Sequence, residues 1–238
     1  EILFWNLPKE EQYWRAPEPP KGLTPETEDA FTEYILEEFR RRREGCFFYN
    51  NGEVIYLVGA HYMGLTHNRM LDTGQTKEFR WAQCQLYYFM QACIIDNRSL
   101  GIDFVKGRRS GFTEAALDFT INDSTSMKNA LLGMTSKTGE DVEKMFSKYL
   151  YTLQNLPFFF IPVVKGKIDD KNKIEFAKVS DASKAAKKKK DTNTDDYLNT
   201  KVDWQSSTTL AYDSTKLVRY ICDEAGKRER PQNILDHW

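Results

Sequence analysis

Two short stretches carry residues whose types and spacing could handle a nucleoside triphosphate. The first is Lys106-Gly107-Arg108-Arg109-Ser110-Gly111-Phe112-Thr113, a basic loop containing two glycines. It lies between a short apolar run at residues 102–105 and a helix-forming run at 114–121. Strand, loop and helix in that order make the context in which a phosphate-binding loop works. The glycines let backbone N–H groups turn inward, and the helix N-terminus adds partial positive charge. Thr113 stands where a hydroxyl ligand of Mg2+ is expected, while Phe112 stands where such loops usually carry lysine. The loop has Lys106 at its front instead. The second stretch, residues 216–222, is mostly apolar and closes on Asp223-Glu224. Acids there suit ATP hydrolysis: the aspartate orders Mg2+ through its water shell and the glutamate polarises the attacking water. One Asp-Glu pair after a strand is common, but its combination with the glycine-bracketed loop is far more specific.

Upstream of the loop, Gln83 follows Phe79, Arg80 and Trp81. Nucleic-acid-stimulated motor ATPases read adenine with a glutamine and an aromatic in this place, because an amide both donates to and accepts from a base edge. The alternative is a solvent-facing glutamine on a helix whose core face is Trp81, Leu86, Phe89 and Met90. Both readings stay open at this point.

The rest of the chain supplies the elements that would hold these residues. Residues 1–24 read as an extended, proline-broken arm with Phe4, Trp5, Tyr13 and Trp14 as anchors. Thr24 and Pro25 mark a helix start, and Phe31, Tyr34, Ile35 and Phe39 recur at helical spacing up to a stop at Gly45. The arginines at 40–43 are read as cations near that helix C-terminus facing solvent, in preference to a nucleic-acid contact. Asn51-Gly52 between β-formers predicts a hairpin over residues 47–58. His61 and His67 have no third metal-ligand candidate at a sensible spacing and read as packing or surface residues. A helix is expected from about 77 to 96 and a strand at 129–134. Thr138 and Asp141 resemble a capping box for a helix burying Val142, Met145, Phe146, Tyr149 and Leu153. Residues 157–164 read as the next buried segment, with prolines at its ends. Strands alternating with helices predict an α/β fold with a largely parallel, doubly wound sheet. Residues 165–201 are lysine-rich, with room for a short hairpin early on, and 184–190 form an exposed run. That run is read either as a contact to DNA phosphates or as a solvated insertion.

Composition sets outer bounds. A chain of 238 residues fits one α/β domain, alone or with a small appendage. A net charge of −1 argues against a generally basic nucleic-acid coat. The four cysteines form no CxxC, and Cys84 and Cys93 would point to opposite faces of one helix, so they read as reduced thiols. Residues 1–11 show no basic n-region, and no apolar run approaches the roughly 20 residues of a membrane span.

At this point the residues carry a family resemblance. The loop at 106–113, with lysine first and an aromatic before the hydroxyl residue, resembles the deviant Walker A motif of large terminases, the DNA-packaging ATPases of tailed bacteriophages. Ile221-Cys222-Asp223-Glu224 is similar to their Walker B strand, and residues 132–137 and 156–159 are similar as well. The hairpin and residues 59–63 look most like the large terminases of crAss-like phages. The resemblance covers about residues 45–230. It implies a P-loop NTPase fold of the RecA/ASCE type: a mostly parallel central sheet flanked by helices, built from residues 76–238. Residues 1–75 would form an N-terminal arm, helix and hairpin appendage.

The resemblance also assigns roles. Lys106 would bind the β- and γ-phosphates of ATP, with Gly107, Arg108, Arg109, Ser110, Gly111, Phe112, Thr113 and Gln83 completing the nucleotide site. Thr113 and Asp223 would hold Mg2+, Glu224 would activate water, and Arg108 or Arg109 would stabilise transition-state charge. Phe112 would pack against the helix or adenosine. The implied partners are double-stranded DNA, a portal protein, a small terminase subunit and further copies in a ring on the portal. The implied location is the host bacterial cytoplasm, with transient docking on the procapsid. The chain shows neither a coupling motif after the Walker B strand nor a nuclease domain, so it reads as an N-terminal ATPase-domain fragment that should not cut DNA. The alternatives are another nucleic-acid motor of the helicase type, or a DNA- or capsid-binding module with a degenerate nucleotide site.

Overall fold

The computed structural model of the protein describes residues 1–105, 110–178, 197–206, 211–213 and 215–227. It is a mixed α/β structure with two small sheets and five α-helices among these residues, divided into two compact units that meet in sequence at Asn122 and Asp123. The appendage read over residues 1–75 falls wholly inside the first unit. Among the described residues no helix is long and apolar enough to cross a membrane.

The first unit forms around the Asn-Gly turn. Asn51 and Gly52 take φ of 52° and 82°, the left-handed pair that a two-residue hairpin turn requires. The turn joins two antiparallel strands, and the arm adds a third: β1 (Ile2–Leu3) runs parallel to β2 (Cys46–Asn50), and β2 pairs with β3 (Glu53–Leu57). Phe48, Ile55 and Leu57 face a core shared with Tyr62, Leu65 and Cys84. The arm's Trp14 sits edge-on to Phe48 with ring centroids 5.3 Å apart, so it packs as the sequence suggests.

The helix preceding the hairpin starts later than Pro25. Thr27 donates its hydroxyl to the Gly22 carbonyl at 2.7 Å, and the Thr24 amide donates back to the Thr27 hydroxyl at 3.0 Å. Such local side-chain bonds compete with helical ones, and α1 runs over Thr32–Glu44. Its stop at Gly45 is as expected, with φ of 78° and the Gly45 N–H on the Arg41 carbonyl. The arginine run does not simply face solvent. Arg41 is buried against Glu37 and Glu38, and Arg42 is buried with its guanidinium on the Asn122 carbonyl at 2.7 Å.

Three further helices belong wholly or partly to this unit: α2 (Gly59–Thr66), α3 (Trp81–Ile95) and α4 (Phe112–Ser124), the last ending in the second unit. The buried face of α3 is Cys84, Tyr87 and Met90, whereas Trp81 and Phe89 are about half exposed. The helix is apolar all round, so periodicity could not choose its inner face. The strand expected over residues 102–105 is not formed. Val105 is fully exposed, and Phe104 instead packs its ring between Phe89 and Phe112.

His61 is buried in α2, stacked 4.1 Å from Tyr87, and neither ring nitrogen has a hydrogen-bond partner among the described residues. Burial pushes its pKa down from 6.5 to about 3, so the folded ring is neutral. Between those values the unfolded chain binds a proton that the folded chain excludes, and stability falls as pH drops from 6.5 toward 3. This one group supplies a slope of at most about 1.4 kcal/mol per pH unit. His61→Phe keeps the stack and removes the proton site. Its urea midpoint should exceed that of the parent protein, by a margin that widens as the buffer is acidified; a margin independent of pH would refute the assignment.

The second unit holds a four-stranded sheet. Its central strand β4 (Leu131–Thr135) pairs in parallel with β6 (Lys201–Trp204) on one side and β7 (Arg219–Cys222) on the other. An antiparallel edge strand, β5 (Lys173–Glu175), completes the order β5-β6-β4-β7. The helix α5 (Gly139–Gln154) buries Val142, Met145, Phe146, Tyr149 and Leu153, the face read from its periodicity. Thr138 caps it, accepting the Asp141 N–H at 3.2 Å. Gly133 in β4 is required by close approach: a Cβ there would lie 2.6 Å from the Tyr212 ring.

Two segments of this unit differ from expectation. Residues 157–164 are buried only at Phe160 and Pro162; Pro157 opens a 3-10 turn at Phe158–Phe160, and Val164 makes a single β-bridge, to Phe176. That bridge is backed by the Ala177 N–H on the Val163 carbonyl at 2.7 Å, whereas Ile174, expected in a short hairpin within the lysine-rich region, pairs with Val202 of β6 instead. The lysines at 184–190 lie outside the described residues.

Candidate nucleotide site

In the first unit the described part of the loop is Ser110 to Thr113. Lys106, Gly107, Arg108 and Arg109 lie outside the described residues. Gly111 has φ of 75°, a left-handed conformation in which a side chain is strained. Its carbonyl accepts the Ala115 N–H at 3.1 Å and so opens α4 directly behind the loop. Thr113 is thereby in the first turn of a helix, the end whose dipole favours an anion. A second constraint acts on Gly111. A Cβ at this position would overlap the Gln83 side-chain nitrogen, so the structure brings Gln83 from α3 against the loop. Gln83 is half-buried, not the solvent-facing residue of the alternative reading. Phe112 packs its ring against Phe104, tilted by 53° at a centroid separation of 4.7 Å. This contact is neither of the two expected ones, to the helix or to adenosine.

In the second unit the paired acids stand at the carboxyl end of β7. The Asp223 N–H donates to the Thr135 carbonyl at 3.0 Å, which keeps β7 and β4 joined to their last residues. Open α/β sheets bind their ligands beyond such strand ends. Glu224 then turns into the left-handed region at φ 52°, with its N–H on Asp223 Oδ1 at 2.9 Å. A non-glycine residue held there is strained, and the surrounding bonds must over-determine it.

The Glu224 side chain is held by two lysines that sequence reasoning did not assign. Lys137 Nζ lies 2.6 Å from Glu224 Oε2, and Lys227 Nζ lies 2.7 Å from Glu224 Oε1. The hydrogen bond from Lys137, followed by that from Lys227, holds the Glu224 carboxyl well below its ordinary range, at about 2. Lys227 was findable, since it stands three residues after Glu224 and a 3-10 turn over Ala225–Lys227 brings it back. Lys137 was not, because its proximity depends on the β4–β7 pairing.

Among the described residues no three metal-ligating side chains cluster. That is compatible with Mg2+, which typically uses one or two protein carboxylates and takes its remaining ligands from water and phosphate. Asp223 fits such a place, being an acid at a strand end, and Thr113 fits as a hydroxyl in the first turn of a helix behind a loop. No protein-family model matches the chain, and no similar sequence is found among curated proteins.

Proposed function

We propose that the chain is a P-loop ATPase domain of the large-terminase type, a motor that couples ATP hydrolysis to movement of double-stranded DNA. The observation that carries the reading is Asp223-Glu224 at the carboxyl end of a strand paired in parallel with its neighbour. Acids so placed suit Mg2+ ordering and water activation. Support from the other unit is the glycine-opened helix with Thr113 in its first turn and Gln83 against Gly111. ATP is the substrate in this reading. Lys106 would meet its β- and γ-phosphates, and Arg108 or Arg109 would offset charge developing in the transition state. Mg2+, held by Thr113 and Asp223, would neutralise phosphate charge. Glu224 would orient and polarise water. Packaging into a procapsid, with a portal, a small terminase and a ring of like subunits as partners, is part of the same proposal.

Calorimetric titration of ATP tests it. Lys106→Ala should lose most ATP affinity, because Phe112 stands where such loops usually carry lysine and Lys106 is the loop's one ammonium for the β- and γ-phosphates, while Glu224→Gln should still bind. If neither substitution alters binding or turnover, the ATPase reading fails. A portal-independent helicase activity would instead support the other class of motor.

A further inference from the structure

We propose that Lys137 is a positioning residue that parks the Glu224 carboxylate in a two-lysine clamp and frees it by passing to Asp141. The inference rests on the ATPase reading above and extends it to how hydrolysis is held back. Each carboxylate oxygen of Glu224 already accepts from its own ammonium, Oε2 from Lys137 at 2.6 Å and Oε1 from Lys227 at 2.7 Å. With Asp141 3.6 Å from Lys137 and the Asp223 carboxylate on the Glu224 N–H, the network holds three carboxylates and two ammoniums. A water at Glu224 must therefore compete with an ammonium for either oxygen. Lys137 also has a second acceptor in reach, since Asp141 Oδ2 is 3.6 Å from its Nζ. A shift of about an ångström toward the nearer hydrogen-bonding range would exchange one carboxylate for the other.

The two acceptors differ in their tethers. Asp141 is fixed by the Thr138 cap at the start of α5. Glu224 follows β7 on a left-handed backbone, so its side-chain direction is set by the clamp as much as by the strand. Lys137 sits in the turn between β4 and α5, one-third exposed, where an ammonium can change partners without burying charge. Lys227 belongs to the same local turn as Glu224 and travels with it. Lys137 is thus the partner that can release.

Steady-state hydrolysis by the full chain tests this without DNA or partners. Lys137→Met should raise kcat by about two- to fivefold, the scale of a partly exposed ion pair, with KM for ATP unchanged. Lys137→Arg should restore the parent rate, because a guanidinium can hold the same oxygen. A merely structural lysine would lower kcat or alter KM and would not discriminate these two variants. Lys227→Met removes the same charge from the other oxygen; an equal rise there would overturn the assignment to Lys137. Measurable parent hydrolysis with no rise in Lys137→Met also overturns the inference while leaving the ATPase reading intact. Absence of both ATP binding and hydrolysis in the parent chain overturns both together.

Discussion

Lys77→Met is expected to destabilise the first unit by about 3–5 kcal/mol, the range for removing one partner of a buried ion pair. Lys77 Nζ lies 2.5 Å from Asp118 Oδ2 and 3.1 Å from the Glu114 carbonyl, and both charged side chains are more than nine-tenths buried. Asp118 also accepts from the Tyr87 hydroxyl and from Asn68 Nδ2. Burial pushes its pKa up, and Lys77 is the largest opposing influence. Methionine fills the lysine stem's volume but leaves a carboxylate with two neutral donors and no counter-charge. Asp118→Asn in the same background removes the stranded charge and should recover more than half of the loss. The sign with pH follows from the raised pKa. A carboxyl that takes up a proton on folding gains stability as pH falls, so the Lys77→Met deficit should shrink in acid. Hydrogen exchange of α2 and α4 amides against pH measures this; a deficit under about 1 kcal/mol would mean that Lys77 only decorates the network.

This network shows where sequence reasoning reaches its limit. Lys77 and Asp118 stand 41 positions apart, and nothing in either neighbourhood distinguishes them from surface charges. Elements with local signals were readable. The Asn51-Gly52 turn, the Gly45 stop and the Thr138-capped helix each carry their own stereochemical requirement within a few residues. Elements whose identity comes from a neighbour were not. Ile102, Phe104 and Val105 are β-formers, yet a strand exists only if another backbone accepts its ladder, and among the described residues none does so. The converse holds for β6: Lys201–Trp204 buries only Val202 and shows no apolar run, yet β4 and β5 flank it on both sides. The arginines at 41 and 42 were read outward because charge is usually solvated. Glu37, Glu38 and Asn122 supply enough acceptors to bring them in.

The candidate site divides along the same line. Residue types and spacing identified Asp223-Glu224 and the glycine that opens α4, since strand-terminal acids and left-handed glycines are local facts. The position of Gln83 against Gly111 and of Lys137 against Glu224 depends on packing between helices and on strand register. These second residues touch the first. A substitution survey guided by motif alone would pass over them.

Glu224→Gln is expected to lower ATP turnover by about 10²- to 10⁴-fold, the range for a positioned general base, while ATP binding persists. The substitution keeps the side chain's length and leaves one oxygen to accept from a lysine. Its amide nitrogen turns toward the other lysine, so one of the two contacts, at 2.6 and 2.7 Å in the parent, is lost. All three side chains remain partly exposed, and water can take the released ammonium, so the melting temperature should barely move. The left-handed backbone at 224 is retained, because the Asp223 carboxylate that receives its N–H is untouched. Chemistry and fold are thereby separated within one residue. A collapse of turnover at constant melting temperature assigns Glu224 to the water. Turnover within about threefold of the parent would instead leave Glu224 as an anchor for two lysines, since a lost general base cannot cost so little. The pair Glu224→Gln and Lys137→Met then orders the events: if the clamp acts only through Glu224, Lys137→Met should produce no rise in the Glu224→Gln background.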